Sequence, residues 1–365
     1  MMLLPLFQPF QLGSIQLPNR IVMAPMTRQR SPDGVPGEDV ADYYARRAAG
    51  GVGLIITEGT TIDDPAGSPA AAIPVFDRSS ATGWALVRER AHAAGARIVP
   101  QLWHLGIQRQ ADRSPQPDEP SISPSGLLRP DKMVGAPMTE ARILSVIEAF
   151  ARGARLALEL GFDGVELHGA HGYLIDQFFW EGTNARDDAW GADRTRFGAE
   201  IVRAVRAATA PHFPIILRWS QWKSGDYEAK IAHTPQALER FLVPLADAGV
   251  TTFHCSTRRF WEAEFPQSGS ALNLAGWTKA ITGVPSITVG SVGLLHADVM
   301  EAREQAVDVD IERLQMLSDA IERGDFDLVA IGRALLANPA WPALVREGRI
   351  DKLKAYSVEA LESLL

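Results

Sequence analysis

Short apolar runs rich in Val, Ile and Thr alternate along the chain with longer stretches in which apolar residues recur every three or four positions. The first pattern is that of strands and the second that of amphipathic helices, so their alternation predicts a parallel sheet with crossover helices. Eight strand-like runs occur, at residues 20–25, 52–59, 97–103, 162–168, 214–220, 251–257, 286–290 and 327–333. Helical stretches fall between them at 38–49, 79–94, 139–160, 194–209, 235–248 and 311–323. Gly95, Gly161, Gly249 and Gly324 each stand between a helical stretch and the next strand, where a helix C-cap is needed. This rhythm, with no linker-like shift in composition, predicts an α/β chain folded as a single (β/α)8 TIM barrel domain over residues 1–365, in preference to an open doubly wound sheet. Residues 9–18 read as an N-terminal hairpin plugging the barrel's N-terminal end. The Pro- and Ser-rich loop 104–138 follows strand three, on the face where barrel active sites are built; it reads as a lid or substrate wall, or as a tolerated insertion.

Composition narrows the function classes. With 46% hydrophobic and 22% charged residues and no apolar run long enough to cross a bilayer, the pattern is that of a soluble globular protein without membrane association. Residues 1–10 are apolar but lack a basic start and are broken by Pro5 and Pro9, which argues against a secretory signal. The lone cysteine, Cys255, cannot form an intrachain disulfide or hold a cysteine-ligated cluster, and with the missing signal it points to the cytoplasm. A net charge of −8 disfavours nucleic acid as the main partner. A monomer or homodimer acting on a small molecule is expected.

Side chains that end barrel strands point into the catalytic mouth. The predicted strands end in Ala24-Pro25-Met26-Thr27, Glu58-Gly59, Gln101 with Trp103, His168 with His171, Arg218, Gly290-Ser291 and Gly332-Arg333. Three stretches, 10–28 (FQLGSIQLPNRIVMAPMTR), 168–177 (HGAHGYLIDQ) and 289–333 with its two glycine turns, lie in order at these positions. Together they resemble the old yellow enzyme family, FMN-dependent NAD(P)H:flavin oxidoreductases and ene-reductases, nearer its classical branch. The resemblance covers essentially the whole chain. It departs after Asn184, where Trp190-Gly191-Ala192-Asp193-Arg194 makes a shorter turn. Dienoyl-CoA reductases of the same family, with an iron–sulfur cluster and added domains, are excluded by the cysteine count and length.

The resemblance implies a tightly but non-covalently bound FMN with NAD(P)H as co-substrate. Arg218 supplies a fixed cation near the flavin pyrimidine, where negative charge gathers on reduction, and Gln101 an amide for the same edge. Thr27 lies near flavin N5 and O4, and Ala24, Pro25, Met26 and Gly59 line the ring. Gly290, Ser291, Gly332 and Arg333 suit a phosphate after strands seven and eight, a signal shared by many phosphate-binding barrels. Plainer readings stand beside these: a structural ion pair for Arg218, a strand-end amide for Gln101, a turn residue for Thr27.

His168 and His171 converge as two donors on a carbonyl or nitro oxygen of an activated alkene, and Tyr173 resembles the family's proton donor. Trp103 resembles a substrate-pocket tryptophan. Packed aromatics account for Trp103 and Tyr173 as well, and a metal site or loop-satisfied imidazoles for the histidines; the His-x-x-His spacing lacks an obvious third ligand, so no metal is expected. Without a Gly-x-Gly-x-x-Gly after a strand there is no separate nicotinamide domain, and NAD(P)H and the alkene must share one mouth, giving ping-pong kinetics. The aromatic loop 258–272, with Phe260, Trp261 and Phe265, is expected to form one pocket wall. The rival functions are another phosphate-binding barrel enzyme, such as an FMN-linked hydroxyacid oxidase or a metal-dependent aldolase, and a flavin-binding barrel without turnover.

Overall fold

The computed structural model describes residues 3–295 and 308–365. Its core is a closed ring of eight parallel strands: β1 (Ile21–Met23), β2 (Leu54–Ile62), β3 (Arg97–Trp103), β4 (Val165–His171), β5 (Ile215–Lys223), β6 (Thr252–Ser256), β7 (Ser286–Val289) and β8 (Leu328–Ile331). Each pairs with its successor, and β8 pairs with β1 to leave no open edge. Helices α1 (Glu38–Ala49), α2 (Ala81–Ala93), α3 (Glu140–Glu159), α4 (Arg196–Ala208), α5 (Pro235–Asp247), α6 (Leu274–Thr282) and α7 (Ile311–Arg323) cross between successive strands, and the short α8 (Arg333–Ala337) follows β8. All eight expected strands are present. Of the crossover helices, α6 escapes the sequence pattern, because it has only nine residues, with a glycine in its first turn. It forms because the Asn273 side chain accepts from the Gly276 amide at its N-terminus and its apolar face packs on β6 and β7.

Side-chain parity divides each strand between two cores. Ile21, Met23, Ile55, Ile98, Leu217, Val329 and Ile331 face outward into the layer shared with the helices. Val22, Ala24, Leu54, Ile56, Val99, Ile216, Ile287, Leu328 and Ala330 fill the interior. The N-terminal hairpin, Phe10–Leu12 against Ile15–Leu17, inserts Leu12, Ile15 and Leu17 into that inner core and so closes the barrel at one end. Gly95, Gly161, Gly249 and Gly324 all take left-handed backbone conformations as each helix turns toward its strand.

Strand ends differ from the expected ones by up to three residues, and the differences matter at the mouth. β2, β4 and β5 run three residues further than the apolar runs, so Gly59, His168 and Arg218 lie inside strands, with register shifts beside Gly59 and after Trp219. β7 and β8 stop earlier, which frees Gly290, Ser291 and Gly332 to turn.

Candidate active site

Inward parity carried one step beyond the apolar layer brings Gln101 on β3, Glu166 on β4 and His254 on β6 together. Gln101 donates its side-chain amide to Glu166 Oε1 at 2.7 Å, and His254 Nδ1 lies 2.6 Å from Oε2. All three are buried, forming a polar floor on the apolar barrel core. One step further along β4 and β6 stand His168 and Ser256, with Arg218 on the intervening β5 in register with His168 and His254. Glu166, His254 and Ser256 are absent from the sequence reading, because only their strand register places them there.

Above this floor two adjoining cavities of about 240 and 180 Å3 share Pro25, His171 and Arg218. The first is also lined by Ala24, Met26, Gly290, Ser291, Gly332 and Arg333, the second by Thr27, Gly59, Gln101, Trp103, His168 and Tyr173. Every residue expected to bind flavin or substrate or to act in catalysis therefore faces one cleft, the aromatics of 258–272 excepted. A larger hollow of about 480 Å3, walled by Asp33, Asp63, Asp64 and Asp77, shares none of these residues.

At the second cavity the aromatic side chains pack edge to face. The Tyr173 ring lies 4.9 Å from His168 and 5.0 Å from Trp103, and the two imidazoles are 5.2 Å apart between centroids. Trp222, not foreseen, stacks on His171 at 4.3 Å. His168 Nδ1 accepts from the Ala170 amide at 3.4 Å, which leaves the proton on Nε2. His171 Nε2 lies 2.8 Å from Ser256 Oγ, an oxygen that accepts from Arg218 at 3.3 Å. Burial, followed by the Arg218 charge, holds both histidines well below the ordinary imidazole range, so they are neutral at pH 7. Burial likewise raises the Tyr173 phenol and lowers Arg218.

Comparison with known proteins decides what this cleft belongs to. A family model described as NADH:flavin oxidoreductase / NADH oxidase matches residues 5–352. The chain is 33% identical to an NADH oxidase of Thermoanaerobacter brockii over 96% of its own length and 52% of that protein's. It is 32% identical to 12-oxophytodienoate reductase 7 of Oryza sativa subsp. japonica, covering 92% of the chain and 86% of the relative. This chain belongs to the NADH:flavin oxidoreductase / NADH oxidase family, the old yellow enzymes. A solved structure of morphinone reductase in complex with tetrahydroNAD superposes with a TM-score of 0.79 at 27% identity, covering 98% of this chain and 93% of that one.

As a member of that family the chain is an oxidoreductase with FMN as cofactor and NAD(P)H as reductant. The cleft fits such a flavin. The buried Arg218 Nε has no protein partner among the described residues and is available to a pyrimidine edge. A Cβ on Gly59 would come within 2.7 Å of the Trp103 ring, so only glycine leaves that wall flat. At the other end Gly290 has φ +155° and Ser291 is left-handed, exposing backbone amides beside Arg333, whose guanidinium donates to Ser291 Oγ at 3.3 Å.

Two expectations about the family's loops are corrected. Phe260 and Phe265 are buried in the outer core, and Trp261 lies under Arg313 at 3.6 Å, so these aromatics form no pocket wall; Arg258 lines the cleft instead. No residue of 104–138 lines either cavity. Its first part lies behind the histidine–tyrosine turn, where Gln108 donates to the Gly172 carbonyl at 2.7 Å and the His104 carbonyl accepts from the Leu174 amide at 3.1 Å. The segment after Asn184 is held by the Asn184 side-chain amide, which donates to the Phe178 and Trp190 carbonyls at 2.9 Å. Among the described residues no group of three His, Cys, Asp or Glu side chains is placed to hold a metal, and no helix is long and apolar enough to cross a membrane.

Proposed function

We propose that this protein is an ene-reductase, reducing the carbon–carbon double bond of an α,β-unsaturated carbonyl or nitro compound. The observation that carries this reading is the convergence of two neutral imidazoles and a protonated phenol on one cavity beside Arg218. FMN, held in this cleft, would supply the hydride chemistry that links NAD(P)H to the alkene β-carbon. Arg218 would hold the negative charge at the pyrimidine edge of the bound flavin, and Gln101 and Thr27 would hydrogen-bond its ring. Ser291 and Arg333, with the turns at Gly290 and Gly332, would hold the phosphate.

His168 donates from Nε2 to the substrate oxygen. His171 can donate beside it only if its Nε2 accepts from Ser256, which puts the proton on Nδ1. The chain Arg218 to Ser256 to His171 favours that tautomer, because the Ser256 oxygen is already accepting from Arg218. The two donors stabilise the enolate-like charge that develops as the β-carbon is attacked. Tyr173 delivers a proton to the α-carbon. Nicotinamide and alkene use the same mouth in turn, so the kinetics are ping-pong. A lone thiol buried at Cys255, pushed up to about 12 by burial, is inert and suits a reducing cytoplasm.

The test is anaerobic. NADPH or NADH should bleach the flavin band of the holoenzyme, and 2-cyclohexenone should restore it. Replacing both His168 and His171 by Ala should slow reoxidation by about 100-fold or more, while flavin reduction stays within about 10-fold. A flavin that stays reduced in the presence of enone, or equal losses in both half-reactions, overturns the reading.

A further inference from the structure

The turn carrying His171 and Tyr173 has two successive left-handed residues, His171 at φ +64° and Gly172 at φ +80°. For a histidine this conformation is strained and persists only where its surroundings enforce it. The enforcing contacts lie directly behind it. Asp176 Oδ2 accepts from the Gly172 amide at 2.5 Å, and Asp176 Oδ1 accepts from Lys223 Nζ at 2.7 Å. Lys223 Nζ also donates to the Ser220 carbonyl at 3.2 Å, and the Lys223 backbone is paired with His171 across β5 and β4. The Ser220 hydroxyl in turn accepts from the His171 amide at 3.0 Å. Both charged side chains are buried, at 3% and 0% exposure, in a place that neither cavity reaches. A buried ion pair is weak evidence for stability, since apolar residues of the same volume often do as well. Its value here is directional: a carboxylate can accept from a backbone amide and an ammonium at once.

We propose that Asp176 and Lys223 form a positioning pair that sets the His171–Gly172–Tyr173 turn, and with it the placement of the oxygen clamp and proton donor, without touching substrate or flavin. The proposal rests on the ene-reductase reading for its kinetic test. Asn at 176 keeps one acceptor oxygen but cannot serve both Gly172 and Lys223; Met at 223 keeps the aliphatic length and removes the donor. The pair also affects protonation. His171 is faced by the cations Arg218 and Lys223 and by His168 and His254, and the Lys223 charge is one of the influences keeping its imidazole neutral.

The experiment uses holoenzyme carrying Asp176→Asn, Lys223→Met or both, normalised to bound FMN. Phenol, which places an oxygen between two imidazole donors without turnover, is titrated spectroscopically. Each single variant is expected to weaken phenol about 10-fold and slow reoxidation by 2-cyclohexenone by a similar factor, with reduction by NADPH or NADH within about 3-fold; the double variant should be no worse than either single one. In Lys223→Met the acid limb of phenol affinity should move to higher pH, a shift that Asp176→Asn, which leaves the Lys223 charge in place, should not share. Additive losses, parallel losses in both half-reactions, or unchanged phenol affinity overturn the proposal. If one single variant fails to retain FMN the other carries the test; failure of both marks the pair as a fold element and counts against positioning. Should the unaltered enzyme not reduce enones, the ene-reductase reading falls, while the phenol titration still decides whether the pair positions the turn.

Discussion

Tyr173 packs edge to face on His168 and Ser256 Oγ lies 2.8 Å from His171 Nε2; in the proposed mechanism both would govern protons at the imidazole pair, and they differ in how they can be tested. Burial raises the Tyr173 phenol above its ordinary value of 10, so it holds its proton throughout the neutral range. Tyr173→Phe is expected to slow enone reduction by about 100-fold while leaving phenol affinity within about 3-fold, measured by rapid mixing of reduced enzyme with 2-cyclohexenone. The unaltered enzyme should show no loss of that step from Tyr173 ionisation between pH 6 and about 9. Ser256→Ala removes the hydroxyl that sets the His171 tautomer. Phenol should then bind about 5- to 10-fold more weakly, as for one lost hydrogen bond, and Ser256→Thr should recover most of it. Equal affinity in the Ala and unaltered proteins would remove Ser256 from the clamp. At this scale the sequence showed Tyr173 within a motif but left Ser256 invisible. A serine at a strand end has no pattern of its own until β5 and β6 are in register, with Arg218 beside His254 and Trp219 beside Cys255.

Among the elements, the eight strands and most helices were legible because each carries its own periodicity and glycine cap, as α1 and α7 do to the residue. What was not legible depends on contacts remote in sequence: the outward burial of Phe260 and Phe265, the buttressing role of 104–108, and the extension of β2 past its apolar run. Within the same strand Glu58 is buried. One of its carboxyl oxygens accepts from the Arg28 and Gln29 amides at 2.7 and 3.2 Å, anchoring the segment just after Thr27, while the other has no partner among the described residues. Burial pushes this carboxyl up to about 7, against the pull of those amides and the Arg28 charge. The folded state thus holds the proton more tightly than the unfolded chain, whose ordinary value is 4.5. The resulting stabilisation is complete below pH 4.5 and is lost as pH rises to about 7, a change of up to roughly 3 kcal/mol. Urea midpoints should fall more for the unaltered protein than for Glu58→Gln between pH 5 and 7.5. Parallel curves for the two proteins would show that Glu58 does not govern this range.

For the whole molecule, the layering of the barrel separates stability from chemistry. The hairpin and the inner apolar residues close one end, and the polar floor of Gln101, Glu166 and His254 divides that core from a mouth built of orphaned or strained groups. Such a mouth is stabilised by its ligand, and the gain follows mass action: FMN at 100 times its dissociation constant adds about 2.7 kcal/mol to the folded state. The division of contacts predicts how that gain is shared. Under the proposed placement Arg218, Gln101 and Gly59 would serve the ring system, whereas Ser291 and Arg333 would serve only the phosphate. Riboflavin, which lacks the phosphate, should therefore raise the apoprotein melting temperature less than FMN at the same concentration. Arg333→Ala should bring the FMN response down toward that of riboflavin and leave the riboflavin response unchanged, as read by thermal unfolding of apoprotein with each flavin. If riboflavin and FMN stabilise the unaltered apoprotein equally, the turns after β7 and β8 are not a phosphate site, and the flavin is held by its ring alone.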